Sequence, residues 1–101
     1  MPVAVLVEFA NGSNEAYDRV MHRMGLGTGT GAPEGAISHI AGETGDGGFR
    51  VVDVWESEQA FERFAKETMR PITAEEGFST PDITMWTVYN MLPQREEAMA
   101  G

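Results

Sequence analysis

Two ionisable side chains stand where strand-like segments should carry apolar ones. His39 lies in Ala36–Ala41, and Asp53 lies in the run Gly48-Phe-Arg-Val-Val-Asp-Val-Trp-Glu-Ser57, two residues before Trp55. A carboxylate beside an imidazole orients the ring and selects which nitrogen carries the proton. A histidine held that way can take a proton from a phenol or an acidic C–H. Strand register decides whether the pair exists. The two segments flank the polar, glycine-rich turn Gly42–Gly48 and read as a hairpin, in which opposite residues share a face. With Ala41 opposite Val51, His39 falls opposite Asp53 and Ile37 opposite Trp55. A slip of one residue moves His39 to the face of Val52 and Val54. The first register is the expectation, with His39 as base and Asp53 as its orienting partner. The alternative is a structural pair that satisfies only its own hydrogen bonds.

The elements that must position these groups follow from periodicity. Phe49, Val51, Asp53 and Trp55 alternate with Arg50, Val52, Val54 and Glu56, so the strand is apolar on both faces and must be covered on both. Past Ser57 the apolar period changes from two to 3.6, with Phe61, Phe64, Ala65 and Met69 on one stripe of a helix that Ser57 can cap. Pro71 is expected to kink that helix or hand it to a further turn through Ala74–Glu76. Upstream, Val3–Phe9 reads as a first strand and Asn11-Gly12 as a turn. Ser13 then caps a helix from Asn14 to about Met24, whose stripe holds Tyr17, Val20, Met21 and Met24. Gly25 stops it.

Gly25–Gly35 is a glycine-rich loop. It lacks the Lys-Ser/Thr ending of a P-loop and follows a helix instead of a strand, so it reads as a mobile rim over a pocket and not as a phosphate cradle. Asp82–Leu92 is the last expected strand, with Trp86 and Asn90 on one face and Tyr89 on the other. Pro93 ends it, leaving 93–101 as a polar tail after a single domain over 1–92.

The order β-α-β-β-α-β is the split ferredoxin-like arrangement of the α+β class. Two helices cover one face of such a sheet. The other, bearing Val52 and Val54, is expected to pack sheet to sheet against a second copy, giving a homodimer.

Composition narrows the partners. Seven Lys and Arg against sixteen Asp and Glu give a net charge of −9, and no cations cluster, which argues against nucleic acid and against an anionic membrane. The absence of cysteine removes disulfides, thiolate nucleophiles and cysteine metal sites. Two histidines without organised carboxylates predict no metal site. The opening Met-Pro-Val-Ala-Val-Leu-Val has no basic n-region and is too short to span a bilayer, so a cytoplasmic protein is expected.

The run Trp55-Glu56-Ser57-Glu58-Gln59-Ala60-Phe61, between an alternating strand and an amphipathic helix, resembles the dimeric α+β barrel superfamily, and within it the antibiotic-biosynthesis-monooxygenase group. The resemblance extends from the first strand through the Trp86 strand. It implies a pocket between sheet and helices, faced by Val51, Asp53 and Trp55 and walled by Phe61, Tyr17 and Met21, with Trp86 as a further candidate for ligand contact. It also implies cofactor-independent chemistry on an aromatic or polyketide-like small molecule: oxygenation, or a cyclase or isomerase reaction. A non-catalytic small-molecule binding protein of the same shape is the other reading. In the anthrone oxygenases of this group the matching tryptophan has an asparagine four residues earlier and a tyrosine six later. Here those places hold Val51 and Phe61, so the tryptophan carries over and its polar partners do not. No histidine lies on the second helix to ligate a haem iron.

Overall fold

The computed structural model describes residues 1–27 and 31–93. The element order is β1 (Val3–Phe9), α1 (Asn14–Arg23), β2 (Ala36–Glu43), β3 (Phe49–Trp55), α2 (Glu58–Phe64), a π-helical turn (Ala65–Met69), α3 (Arg70–Glu75) and β4 (Asp82–Thr87). The four strands form one antiparallel sheet in the order β2-β3-β1-β4, with the helices on one face. This is the ferredoxin-like α+β arrangement.

Side-chain chemistry places the helix ends. The Ser13 and Ser57 hydroxyls accept from the backbone N–H of Ala16 at 3.0 Å and of Ala60 at 3.1 Å, each satisfying a donor that the first helical turn leaves free. Helix α1 closes in a Schellman motif. Gly25 takes the left-handed φ of 80°, its N–H donates to the His22 carbonyl, and the Leu26 N–H reaches back to Met21 at 2.8 Å. The second helical segment neither stops nor simply kinks at Pro71. It widens into one π turn, in which the Arg70 N–H donates to the Ala65 carbonyl, and continues as α3. The wide turn ends two residues before Pro71, whose ring crowds the carbonyl four positions back, that of Glu67 within the turn.

The core lies between sheet and helices. Val5, Val7 and Phe9 of β1 meet Phe49, Val51 and Trp55 of β3 beneath Val20, Phe61, Ala65 and Met69. Trp55, 1% exposed, packs against Phe61 and Phe64 with ring centroids 5.7 and 5.2 Å away. Arg19 pairs with Glu76, and Arg23 with both Glu75 and Glu76, tying α1 to α3. Arg50 pairs with Glu8 at 3.0 Å across β1 and β3 on the uncovered face.

Two expectations about strands need correction. Ala36, not Ile37, pairs with Trp55, because a bulge between Ala36 and Ser38 leaves Ile37 without an opposite residue. The strand enters this bulge through Gly35, at φ 91°. A Cβ there would stand 2.8 Å from the Ala60 side chain, so a larger residue would push β2 away from the start of α2. The last strand ends at Thr87 and does not reach Leu92. Its partner β1 starts at Val3, so after the Val3–Thr87 pair only one more bond forms, Val88 N–H to the Pro2 carbonyl. Tyr89 beyond it is fully exposed. Of the expected polar tail, residues 94–101 lie outside the described residues, as do 28–30 of the glycine-rich loop.

Candidate active site

Three elements carry polar atoms to one end of the space between sheet and helices. β2 pairs with β3 so that Ala41 meets Val51 and His39 meets Asp53, which turns both ionisable side chains toward the helices. His39 Nδ1 lies 2.6 Å from Asp53 Oδ1, and the Trp55 indole N–H donates to Asp53 Oδ2 at 3.1 Å. From α1 the Tyr17 hydroxyl lies 2.5 Å from His39 Nε2. A carboxylate only accepts, so the His39 Nδ1–H donates to Asp53. In the neutral imidazole Nε2 is then an acceptor, and the Tyr17 O–H donates to it. The tautomer is thus assigned from the network.

The Tyr17 and His39 rings lie nearly parallel, 11° between planes, with centroids 5.9 Å apart. That separation is too wide for face-to-face stacking. Phe49 supports Tyr17 from the side, 5.2 Å between centroids.

Burial runs in a gradient along this chain of bonds. Asp53 is 5% exposed and the His39 side chain 37%, so the carboxylate sits deep and the imidazole reaches toward the free edge of β2. Burial pushes the Tyr17 phenol above its ordinary pKa, and the negative charges of Asp53 and Asp18 push it the same way. Tyr17 is therefore held as a neutral phenol.

The rest of the space is largely apolar, with Ser38 and Thr73 also lining it. It forms a cavity of about 280 Å³, near the lower end of the size of small-molecule sites, and room for a flat aromatic of two or three rings. Met21, Met24, Met69, Val51, Phe61 and Phe64 wall it, with Leu26, Ala32 and Pro33 of the glycine-rich loop at its rim. Thioether and aromatic walls adapt to ring-shaped ligands.

The structure brings His39, Asp53, Trp55, Val51, Phe61, Tyr17 and Met21 together at this cavity. Trp86 is the exception and a correction. Its register partner is Ala4, so it stands half-exposed on the opposite sheet face and does not line the cavity. The hydroxyl of Tyr17 is the polar contact that sequence reasoning missed, having counted the residue as apolar wall. The available signal was a polar tip on the buried stripe of α1. Among the described residues no group of three or more His, Asp or Glu side chains converges as a metal site requires. No helix among them is long and apolar enough to cross a membrane.

No family model matches the chain, and no curated protein matches it. Solved structures do. SnoaB, a cofactor-independent oxygenase from Streptomyces nogalater, aligns in a variant form over 92% of this chain and 98% of its own, at 23% identity and TM-score 0.60. A monooxygenase from ActVA-Orf6 of Streptomyces coelicolor, in complex with nanaomycin D, aligns over 91% and 92% at 19% identity and TM-score 0.60. The chain has the antibiotic-biosynthesis-monooxygenase-like fold. Rv0793 from Mycobacterium tuberculosis shares this fold over 91% of the present chain and 99% of its own, at 17% identity and TM-score 0.64. Identities this low establish the shared fold alone.

Proposed function

We propose that this protein is a cofactor-independent enzyme that begins its reaction by taking a proton from an aromatic or polyketide-like small molecule. The observation that carries the reading is the short His39–Asp53 contact, 2.6 Å, at the polar end of a largely apolar cavity. In the proposed step an O–H or acidic C–H bond of the substrate breaks and its electron pair stays on the substrate. The proton ends on His39 Nε2, and Asp53 stabilises the imidazolium. Trp55 and the methionines hold the ring plane. The substrate anion can then react with dioxygen, one oxygen atom entering the ring as a carbonyl and the other leaving as water, or close a ring by attacking its own carbonyl. Oxygenation is the preferred subclass, supported by the fold shared with SnoaB and with the nanaomycin-bound monooxygenase.

The test uses dithranol, a dihydroxyanthrone, under air, with quinone formation followed by absorbance. His39→Ala should bind dithranol as the native protein does and lose about a hundredfold or more in turnover. Equal turnover by both proteins would remove the proposal. One observation favours a second reading, binding without turnover: both imidazole nitrogens already have protein partners. Tight binding with no product from either protein would favour it.

We also propose that the uncovered sheet face seats a second copy. Ile40 is 68% exposed and Trp86 50%, on the same sheet face as the partly exposed Val52 and Val54, a grouping of apolar side chains of the kind that marks an interface.

A further inference from the structure

The hydrogen bonds at the cavity's polar end have a fixed direction. Asp53 is an acceptor at both oxygens, from the Trp55 N–H and from the His39 Nδ1–H. In the neutral imidazole, the form that can take a proton, His39 Nε2 is then the acceptor of the Tyr17 O–H. That hydroxyl has spent its one hydrogen, so its oxygen keeps only lone pairs to offer. Both ring nitrogens of His39 are occupied, and the next open position along the chain of bonds is Tyr17 Oη, on a residue that lines the cavity.

From this polarity we infer that Tyr17 is the residue that touches the ligand, and that the site selects an aromatic carrying a hydrogen-bond donor, a phenolic O–H, at one edge. The inference rests on the proton-taking site proposed above and deepens it. The substrate proton passes to Tyr17 Oη while the Tyr17 proton passes to His39 Nε2, so one O–H bond breaks as another forms and phenolate does not accumulate. After the transfer the bonds run the other way. The imidazolium N–H donates to Tyr17, and the Tyr17 O–H points at the new oxyanion, so the group that accepted the proton then stabilises the charge left behind. His39 and Asp53 act through Tyr17. An ether or a quinone carbonyl at the same place meets lone pairs with lone pairs and is disfavoured.

The experiment compares two probes of one ring system, 2-naphthol, which donates, and 2-methoxynaphthalene, which only accepts, by titration calorimetry. The native protein should bind 2-naphthol about tenfold tighter. Tyr17→Phe should bring the two affinities together. Asp53→Asn gives an independent arm. Its amide oxygen can still accept from Trp55 while its NH₂ donates to His39 Nδ1. The imidazole then carries its proton on Nε2, the Tyr17 O–H turns toward the cavity, and the preference should shrink or invert. Equal affinities in the native protein, an unchanged ratio in both variants, or no binding of either probe would overturn the inference. These titrations need no turnover, so loss of the probe preference and loss of dithranol oxidation fail separately.

Discussion

At the scale of single residues, the buried carboxylate and the half-buried phenol carry different risks. Asp53 satisfies two donors inside the core, so Asp53→Ala strands the Trp55 N–H and the His39 Nδ1–H. It should cost about 1–3 kcal/mol in urea unfolding, whereas Tyr17→Phe loses one bond to an imidazole that water can reach and should cost about 1 kcal/mol or less. A comparable loss from both would mean the carboxylate is not the anchor of the chain of bonds. Tyr17 also has a pH consequence. Burial first, then Asp53 and Asp18, raise its pKa above the ordinary 10.0. The folded chain therefore holds the proton to higher pH than the unfolded one. Stability from this source is complete below the ordinary value and is lost as pH rises through the raised one. Thermal midpoints should fall in strong alkali, and Tyr17→Phe should flatten that fall; an identical alkaline profile would contradict the assignment.

At the scale of elements, the caps and the inter-helix ion pairs are the parts most open to test. Ser57→Ala removes the hydroxyl that starts α2, the element that lays Phe61 and Phe64 on Trp55. It should cost about 1 kcal/mol, a fall of about 4–8 °C in melting temperature. The Glu76 carboxyl is held below its ordinary pKa chiefly by its bond from Arg19, with Arg23 adding to it. Its contribution is present above the ordinary carboxylate value and is lost as pH falls through the lowered one. The α1–α3 clamp should therefore weaken as pH falls below the ordinary carboxylate range, and Arg19→Met should remove part of that acid dependence, more visibly in low salt. Unaltered acid unfolding in Arg19→Met would assign the effect elsewhere.

These elements also show how far the amino-acid sequence could be read. Ser13 and Ser57 announced both helix starts because capping is local, and the alternation around Asp53 announced which residues share a face. The His39–Asp53 register was one of two parities open to a hairpin. The bulge at Ile37 was hidden because it depends on how Gly35 approaches Ala60 on another element. The end of β4 was hidden for a similar reason: Val88 to Leu92 have strand-like neighbours but no partner strand beyond Pro2. Tyr17 was legible as a buried-stripe residue. Where its hydroxyl points is set by the distance of α1 from the edge strand, which no spacing encodes.

At the scale of the whole molecule, two faces of one sheet divide the work. The covered face holds the cavity and its polar end. The uncovered face, with Ile40, Val52, Val54 and Trp86, is the proposed seat of a second copy. Ile40→Glu should halve the mass seen by sedimentation equilibrium while leaving 2-naphthol binding in place, since Ile40 stands across the sheet from the cavity. A native protein already monomeric at micromolar concentration would contradict the pairing.

The claim on which the account turns is that a proton leaves the ligand for His39, oriented by Asp53 and reached through Tyr17. Its most direct measurement is the exchange of the acidic C–H of dithranol with solvent deuterium, followed by NMR without oxygen, so that only proton transfer is read. The native protein should accelerate exchange over buffer, and His39→Ala should return it to the buffer rate while still binding dithranol. Exchange no faster than buffer with the native protein, or equally fast with His39→Ala, would contradict the account.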